Sequence, residues 1–171
     1  MKTILIFISA FILHLNTIGQ NAEEYFFNGN AKQEKKDYSG GIADYNKALE
    51  LNIKDSSKIA ALYYNRGLAK LNLGDNRGAI SDNTQAIKMT PKKGEAYANR
   101  ALAKFRLADN KGAIADFNIA ININPKDAKS YGTRGLAKLN TNDKEGGCLD
   151  LSKSGELGET KAYDLIKQYC N

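Results

Sequence analysis

A sequence pattern that returns every 34 residues constrains this chain more than any other feature. One copy runs from Tyr63 to Pro91, and a closely similar stretch runs from Tyr97 to Pro125. Tyr131 opens a third copy, Y-G-T-R-G-L-A-K-L-N-T-N-D-K-E-G-G-C-L-D. A fixed period of this size is typical of arrays of stacked structural units, so it decides the fold class before any single residue is interpreted.

Each copy predicts a pair of antiparallel helices. Between Ala60 and Leu73, apolar and small residues recur at helical spacing, and Gly74 and Asp75 then interrupt the run. A second apolar stripe follows and is closed by Pro91. A hairpin of two helices has an apolar face that it cannot cover alone, so successive hairpins must stack.

The repeated residues resemble the tetratricopeptide repeat family. The copies share an aromatic residue, a small residue four positions later, two small residues in the second helix and a closing proline. These positions are Tyr63, Tyr97 and Tyr131; Gly67, Ala101 and Gly135; Ala79, Ala113 and Gly147; Ala86 and Ala120; Pro91 and Pro125. The resemblance implies an all-α, right-handed α-solenoid that acts as a non-catalytic scaffold for a protein or an extended peptide.

We expect about four repeats and a C-terminal capping helix. The repeats are predicted at residues 22–55, 60–93, 94–127 and 128–157, and the cap at residues 158–171. The first repeat is degenerate, and its spacing to the second is four residues longer than the period. We expect that extra length in an enlarged loop from Asn52 to Lys58, and a further loop from Ser152 to Gly158 before the cap.

The first 19 residues are typical of a secretory signal. Lys2 is followed by an apolar run from Ile4 to Leu15 and then by the small residues Thr17 and Gly19. The alternative is a membrane anchor, but the run is shorter than the roughly 20 residues that span a bilayer. The sequence therefore predicts a secreted or periplasmic protein that begins at Gln20 and has no membrane span after cleavage.

Several function classes are not expected. His14 is the only histidine, and cleavage of the signal would remove it, leaving no imidazole for acid–base chemistry or metal binding. We therefore expect no enzyme, no metal site and no cofactor. Lys70, Lys104 and Lys138 recur, but acidic residues follow each of them, so no nucleic-acid binding is expected.

Charged residues also recur in pairs. An aspartate follows each of three repeated arginines 16 residues later: Arg66 and Asp82, Arg100 and Asp116, Arg134 and Asp150. They could be acid and base groups, but an active site is rarely copied three times. We interpret them as bidentate ion pairs that fix neighbouring helices. Asp75, Asp109 and Asp143 are expected to cap the second helices.

Cys148 and Cys170 are the only cysteines. With a secretory signal, an even count favours a disulfide, which would hold the cap against the last repeat. The alternative is two unpaired thiols in a reducing compartment.

The family resemblance implies a binding groove along the first helix of each pair. The predicted groove residues are Phe26, Asn30, Tyr64, Asn65, Leu68, Asn99, Leu102, Arg106, Thr133 and Leu136, with Gln33 and Asn72 on the same face. Asn65 and Asn99 are one repeat apart and can pair with the backbone of an extended peptide. The leucines have an alternative role in packing against neighbouring helices.

The residues bear on two more specific functions. Heat-shock co-chaperones of the family grip a C-terminal carboxylate with a lysine–arginine clamp, but Phe26, Glu95 and Asn99 stand at clamp positions here, and only Asn30 and Asn65 fit. That activity is not expected. A homo-oligomer is the alternative to the peptide-binding scaffold, formed through Tyr25, Phe26 and Phe27 if the first repeat leaves them exposed.

Overall fold

The computed structural model describes residues 21–51 and 53–170, and its regular elements there are α-helices. The first, α1, covers residues 21–34. The others are α2 (Tyr38–Glu50), α3 (Ser56–Leu73), α4 (Asn76–Met89), α5 (Gly94–Arg106), α6 (Asn110–Ile123), α7 (Ala128–Leu139), α8 (Lys144–Glu156) and α9 (Lys161–Tyr169). The predicted signal segment lies outside the described residues. Within them, no helix has the length and apolar character needed to cross a membrane.

The helices stack as consecutive hairpins. From α2 onward each helix packs on the next one in the chain, and α5 also contacts both α3 and α7. The first helices of successive pairs therefore form a continuous layer. This arrangement confirms the all-α solenoid predicted from the period.

Small side chains let the helices approach closely. Ala69, Ala103 and Ala137 are fully buried at equivalent positions of α3, α5 and α7. A Cβ added to Gly135 would lie 2.9 Å from the carbonyl oxygen of Gly147 on the facing helix, so a larger residue does not fit there. The repeated small residues are thus explained by helix contact.

The turns inside the hairpins share one geometry. The side chains of Asp75, Asp109 and Asp143 each accept a backbone hydrogen bond from the glycine three residues later, at 2.9 Å. The residue before each aspartate has a left-handed backbone, with φ of 93° at Gly74 and 61° at Ala108. The aspartates cap the second helices as the sequence predicted.

The extra length between the first two repeats is mainly helix, so the loop predicted from Asn52 to Lys58 is wrong from Ser56 onward. Helix α3 begins at Ser56, seven residues before Tyr63, whereas α5 begins only three residues before Tyr97. Four residues are about one helical turn. The side chain of Asp55 caps the lengthened helix by accepting from the backbone N–H of Ser57 at 2.8 Å.

The loop predicted from Ser152 to Gly158 is also wrong, because α8 continues to Glu156. Ser154 holds this last turn inside the array: it is fully buried and its hydroxyl donates to the backbone carbonyl of Ala128 at 2.8 Å. The chain then turns and α9 packs on α8. A disulfide joins Cys148 to Cys170, with Cα atoms 5.8 Å apart, and fastens the cap.

Candidate binding groove

An ion-pair ladder holds the first and second helices of the last three repeats together. Arg66 donates from Nε and Nη2 to the two carboxylate oxygens of Asp82, at 2.8 and 2.7 Å. Arg100 and Asp116 repeat the same bidentate contact, as do Arg134 and Asp150. The three aspartates are buried, so each carboxylate needs these partners to offset its lost hydration.

Lysine supplies a third member of each group. Lys70, Lys104 and Lys138 lie 2.8–2.9 Å from the carboxylates of Asp82, Asp116 and Asp150. Sequence reasoning considered these lysines only as a possible basic surface and did not assign them to the ion pairs. Their position four residues after each arginine, on the same helix face, was the signal that could have identified them. Because they are ion-paired, they do not form a free basic stripe for a nucleic acid.

The arginines also reach the preceding repeat. Arg100 donates to the hydroxyl of Thr84 at 3.2 Å, and Arg134 donates to the side-chain oxygen of Asn118 at 2.8 Å. Arg66 contacts Asn46 of the first repeat in the same way, at 2.6 Å. Each guanidinium therefore connects three helices from two repeats.

The predicted groove residues lie on α1, α3, α5 and α7, and none of them is fully buried. Two of them have packing roles. Phe26 packs against the first hydrophobic cluster, where its ring centroid lies 6.3 Å from that of Tyr45. Leu102 packs against the two clusters that lie between α3, α5 and the second helices. Leu102 therefore packs against neighbouring helices, which is the alternative role given above for the groove leucines.

Two predicted groove asparagines from adjacent repeats meet directly. The amide oxygen of Asn30 accepts hydrogen bonds from the hydroxyl of Tyr45 at 2.7 Å and from the amide nitrogen of Asn65 at 3.0 Å. Because one N–H of Asn65 is used in this way, its amide oxygen and its second N–H are left for a ligand. These contacts fix the orientation of both amides.

Beside this pair the groove contains an open cleft of about 400 Å³. Polar side chains line it: Asn30, Gln33, Glu34, Tyr38, Asn65 and Asn72. Sequence reasoning did not place Glu34 and Tyr38 in the groove. Tyr38 begins the second helix of its pair, so its contribution depends on the angle between α1 and α2, which the repeat pattern does not specify.

Other polar groove residues have internal partners. Lys93 lies over the ring of Tyr64, with Nζ 4.1 Å from the centroid. Burial raises the pKa of Tyr64, and the carboxylate of Glu95 raises it further. The amide nitrogen of Asn99 is buried and has no hydrogen-bond partner among the described residues. Asn65 and Asn99 thus have different surroundings, although they lie at equivalent positions of adjacent repeats.

Polar residues in the C-terminal part of the groove also have partners within the chain. Arg106 donates to the carbonyl oxygen of Leu71 at 2.6 Å, and the hydroxyl of Thr133 donates to the carbonyl of Lys129 at 3.0 Å. Arg106 nevertheless keeps an exposed side chain. In the part of the chain that the structure describes, no cluster of His, Cys, Asp and Glu side chains forms a candidate metal site.

Comparison with known proteins agrees with this architecture. Residues 60–93 and 94–127 each match the model of the tetratricopeptide repeat. Human tetratricopeptide repeat protein 4 is 35% identical over 72 residues, which are 42% of this chain and 19% of that protein. A small glutamine-rich tetratricopeptide repeat-containing protein of Mycosarcoma maydis is 37% identical over 75 residues, 44% of this chain and 20% of that protein. This chain therefore spans about a fifth of the length of these relatives.

Solved structures resemble two thirds of this chain or more. MamA superimposes with a TM-score of 0.74 at 23% identity, covering 91% of this chain and 89% of that chain. The TPR domain of Arabidopsis OM64 has a TM-score of 0.65 at 28% identity, covering 70% and 96%. The first TPR of Spaghetti (RPAP3), solved bound to the HSP90 peptide SRMEEVD, has a TM-score of 0.64 at 26% identity, covering 67% and 92%.

Proposed function

Because this chain is a tetratricopeptide repeat protein, we propose that it is a non-catalytic scaffold that holds an extended segment of a partner protein in its concave groove. The observation that carries this proposal is the cleft beside Asn30 and Asn65. It exposes polar groups on the layer formed by the first helices of the hairpins. The peptide bound by the related Spaghetti domain supports the same use of the fold.

The ligand proposed here differs from that acidic peptide. A carboxylate clamp needs cations along the groove, whereas this chain has Glu95 on the groove face of α5 and no lysine or arginine lining the cleft. Lys93, at the start of α5, lies over Tyr64. We therefore expect a peptide ending in the acidic sequence MEEVD to bind this chain no better than a scrambled control.

We also propose that the protein is exported. The apolar run from Ile4 to Leu15 supports export, and so does the disulfide between Cys148 and Cys170, since such bonds persist in oxidising compartments. N-terminal sequencing of the protein isolated from its own cell envelope tests this proposal. A chain that begins at Gln20 is expected, and an intact Met1 in a soluble cytoplasmic fraction would contradict it.

Cross-linked pull-down from the native cell envelope tests the scaffold proposal. Replacement of Asn65 and Asn99 by alanine removes groove amides and should reduce recovery of specific partners at least several-fold. Replacement of Gln85 and Asn122, which lie on the second helices, is the matched control and should leave recovery unchanged. Equal recovery with both double variants would refute binding in the groove.

Self-association is a second candidate, favoured by one observation. The ring of Phe27 is 64% exposed at the N-terminal end of the array, in edge contact with Phe26. Tyr25 and Phe26 are not exposed in the same way, because they pack against the first hydrophobic cluster.

Sedimentation across a concentration series should show a dimer that Phe27→Ala abolishes, if this candidate is correct. Leu149→Ala is the matched control, because Leu149 is 66% exposed near the other end of the array. A monomer at every concentration, with and without Phe27→Ala, would exclude self-association through this residue.

A further inference from the structure

The cleft lined by Asn30, Gln33, Glu34, Tyr38, Asn65 and Asn72 has a chemical preference of its own. We propose that it binds the ammonium or guanidinium group of a lysine or arginine side chain. This inference rests on the proposed function, since the side chain would belong to the peptide held in the groove.

The cleft offers oxygen acceptors beside the N–H groups of its amides. The amide oxygen of Asn30 already accepts from Tyr45 and Asn65, so the oxygen of Asn65 remains available. The amide oxygen of Gln33 is buried and has no hydrogen-bond donor among the described residues. A buried acceptor without a donor destabilises the protein, and a ligand that brings several N–H groups removes that cost.

The charge of the cleft points the same way. Glu34 is its only carboxylate, and neither lysine nor arginine is among the lining residues. Lys32, on the same helix, is paired with Asp44 at 2.7 Å. A carboxylate in the cleft would meet the negative charge of Glu34, whereas an ammonium or guanidinium group would form charge-assisted hydrogen bonds with it.

The dimensions suit a long basic side chain. A space of about 400 Å³ is at the lower end of the usual range for ligand pockets. Tyr38, which is half-buried at the edge of the first hydrophobic cluster, gives the cleft an apolar wall against which the methylene stem of lysine or arginine can pack. The charged head would then reach the oxygens of Glu34 and Asn65, and the buried oxygen of Gln33 would have to turn outward to join them.

Titration with small probes tests the inference without a known partner. The probes are the N-acetyl N-methylamides of lysine, arginine, norleucine and glutamate, added at millimolar concentration to the isotope-labelled protein. We expect saturable shifts of the side-chain amide signals of Gln33 and Asn65 with lysine and arginine. Norleucine and glutamate should give none. Equal shifts with lysine and norleucine, or no shifts with either basic probe, would overturn the proposal.

Charge variants at one exposed position sharpen the test. Glu34→Gln should weaken binding of the basic probes about tenfold, because it removes the only charged acceptor. Glu34→Lys should abolish that binding. Glu24→Gln changes another exposed glutamate of the same helix, outside the cleft, and is the control that should bind as the unchanged protein does. Unchanged affinity in Glu34→Gln would contradict the proposed role of this carboxylate.

A peptide-display selection on the same protein separates this inference from the proposed function. Selected peptides that share a lysine or arginine, and that lose binding when Glu34 is replaced, would support both the peptide-binding scaffold and the cation site. Selected peptides without a shared basic residue would support the scaffold and overturn the inference. Binding of the basic probes with no selected peptide would uphold the cation site and count against the peptide-binding scaffold.

Discussion

The first repeat and the three later repeats form the same helical hairpin but stabilise it differently. In the later repeats a buried aspartate holds an arginine and a lysine, and the guanidinium reaches the preceding repeat. In the first repeat Asn28 stands where the arginine would be, and only Lys32 pairs with Asp44. Tyr45 is fully buried and its hydroxyl donates to Asn30; it stands where Asn83, Phe117 and Leu151 are buried in the later repeats.

This difference places the candidate site. Where the ladder recurs, its charged groups pair with one another and are unavailable to a ligand. Where it is absent, the groove holds the hydrogen-bonded amides of Asn30 and Asn65 and the unpartnered oxygen of Gln33. The departure from the repeat is therefore more informative about binding than the repeat itself.

The largest expected effect comes from removing one carboxylate of the ladder. Asp116→Ala leaves the partly buried Arg100 and Lys104 without their acceptor, which should lower the free energy of unfolding by about 3 kcal/mol. Asp44→Ala leaves only Lys32, whose side chain is 42% exposed and can turn to water, so about 1 kcal/mol or less is expected for the lost ion pair. Urea titration of both variants measures the contrast. Equal losses would mean that the two regions are held in the same way.

The C-terminal end of the array offers the next largest effect. Replacing both Cys148 and Cys170 by serine opens a loop with a sequence separation of 22, which should lower stability by about 3 kcal/mol at most. Hydrogen exchange should quicken first in α9, because that helix is the last one described and packs on α8 at the end of the array. Reduction of the unchanged protein is the control and should reproduce the loss. Unaltered exchange in α9 would show that the disulfide does not hold the cap.

Alkaline pH should weaken the aromatic core of the first repeat. Burial, helped by the charge of Asp44, raises the pKa of Tyr45 from its ordinary value of 10.0 to about 12. Because the folded state favours the neutral phenol, the stabilisation is complete below pH 10 and is lost as the pH rises toward 12. The loss attributable to this residue should be about 2 kcal/mol.

Tyr45→Phe is the matched control for that pH dependence. At pH 8 it should cost about 1 kcal/mol, the value of a typical lost hydrogen bond. Other tyrosines and the lysines titrate in both proteins, so the difference between the two unfolding curves reports on Tyr45. That difference should vanish or reverse by pH 12. A constant difference across this range would contradict the titration of Tyr45.

The smallest effect concerns the turns inside the hairpins. Ala108 has a left-handed backbone at the position where Gly74 stands in the preceding repeat. Ala108→Gly should therefore raise the free energy of unfolding by about 0.5–1 kcal/mol, and Gly74→Ala should lower it by about 1 kcal/mol. Thermal unfolding of the two single variants measures both signs. If Ala108→Gly lowers the stability instead, the added conformational entropy of the unfolded chain outweighs the relief of backbone strain at this position.

Sequence reasoning succeeded where the structure repeats. The helical hairpins, the Arg100–Asp116 contact and its two equivalents, and the capping aspartates all recur at fixed spacing, so one physical explanation serves every copy. For Leu102, packing between helices could have been preferred to ligand contact from the sequence, because a leucine on a helix packs more often than it binds a ligand. The proposed use of the groove residues stays a prediction.

The rest depended on features that occur once. The additional turn of α3 could not be told from a loop, because Ser56 and Ser57 are polar and exposed whether or not they are helical. The last turn of α8 depends on buried Ser154, whose acceptor lies in another repeat. The cleft needs Tyr38 from a second helix beside Gln33 from a first helix. None of these contacts follows from periodicity.

The arginines that connect two repeats have a consequence for cooperativity. Because Arg100 binds Asp116 within its own hairpin and Thr84 in the hairpin before it, opening one repeat exposes charged groups of that repeat and breaks a contact of its neighbour. The guanidinium meets polar side chains of similar reach in each preceding repeat: Asn46, Thr84 and Asn118. After duplication or deletion of one 34-residue unit, each arginine would therefore still meet an acceptor in the repeat before it. The array can change length without new contacts between its repeats.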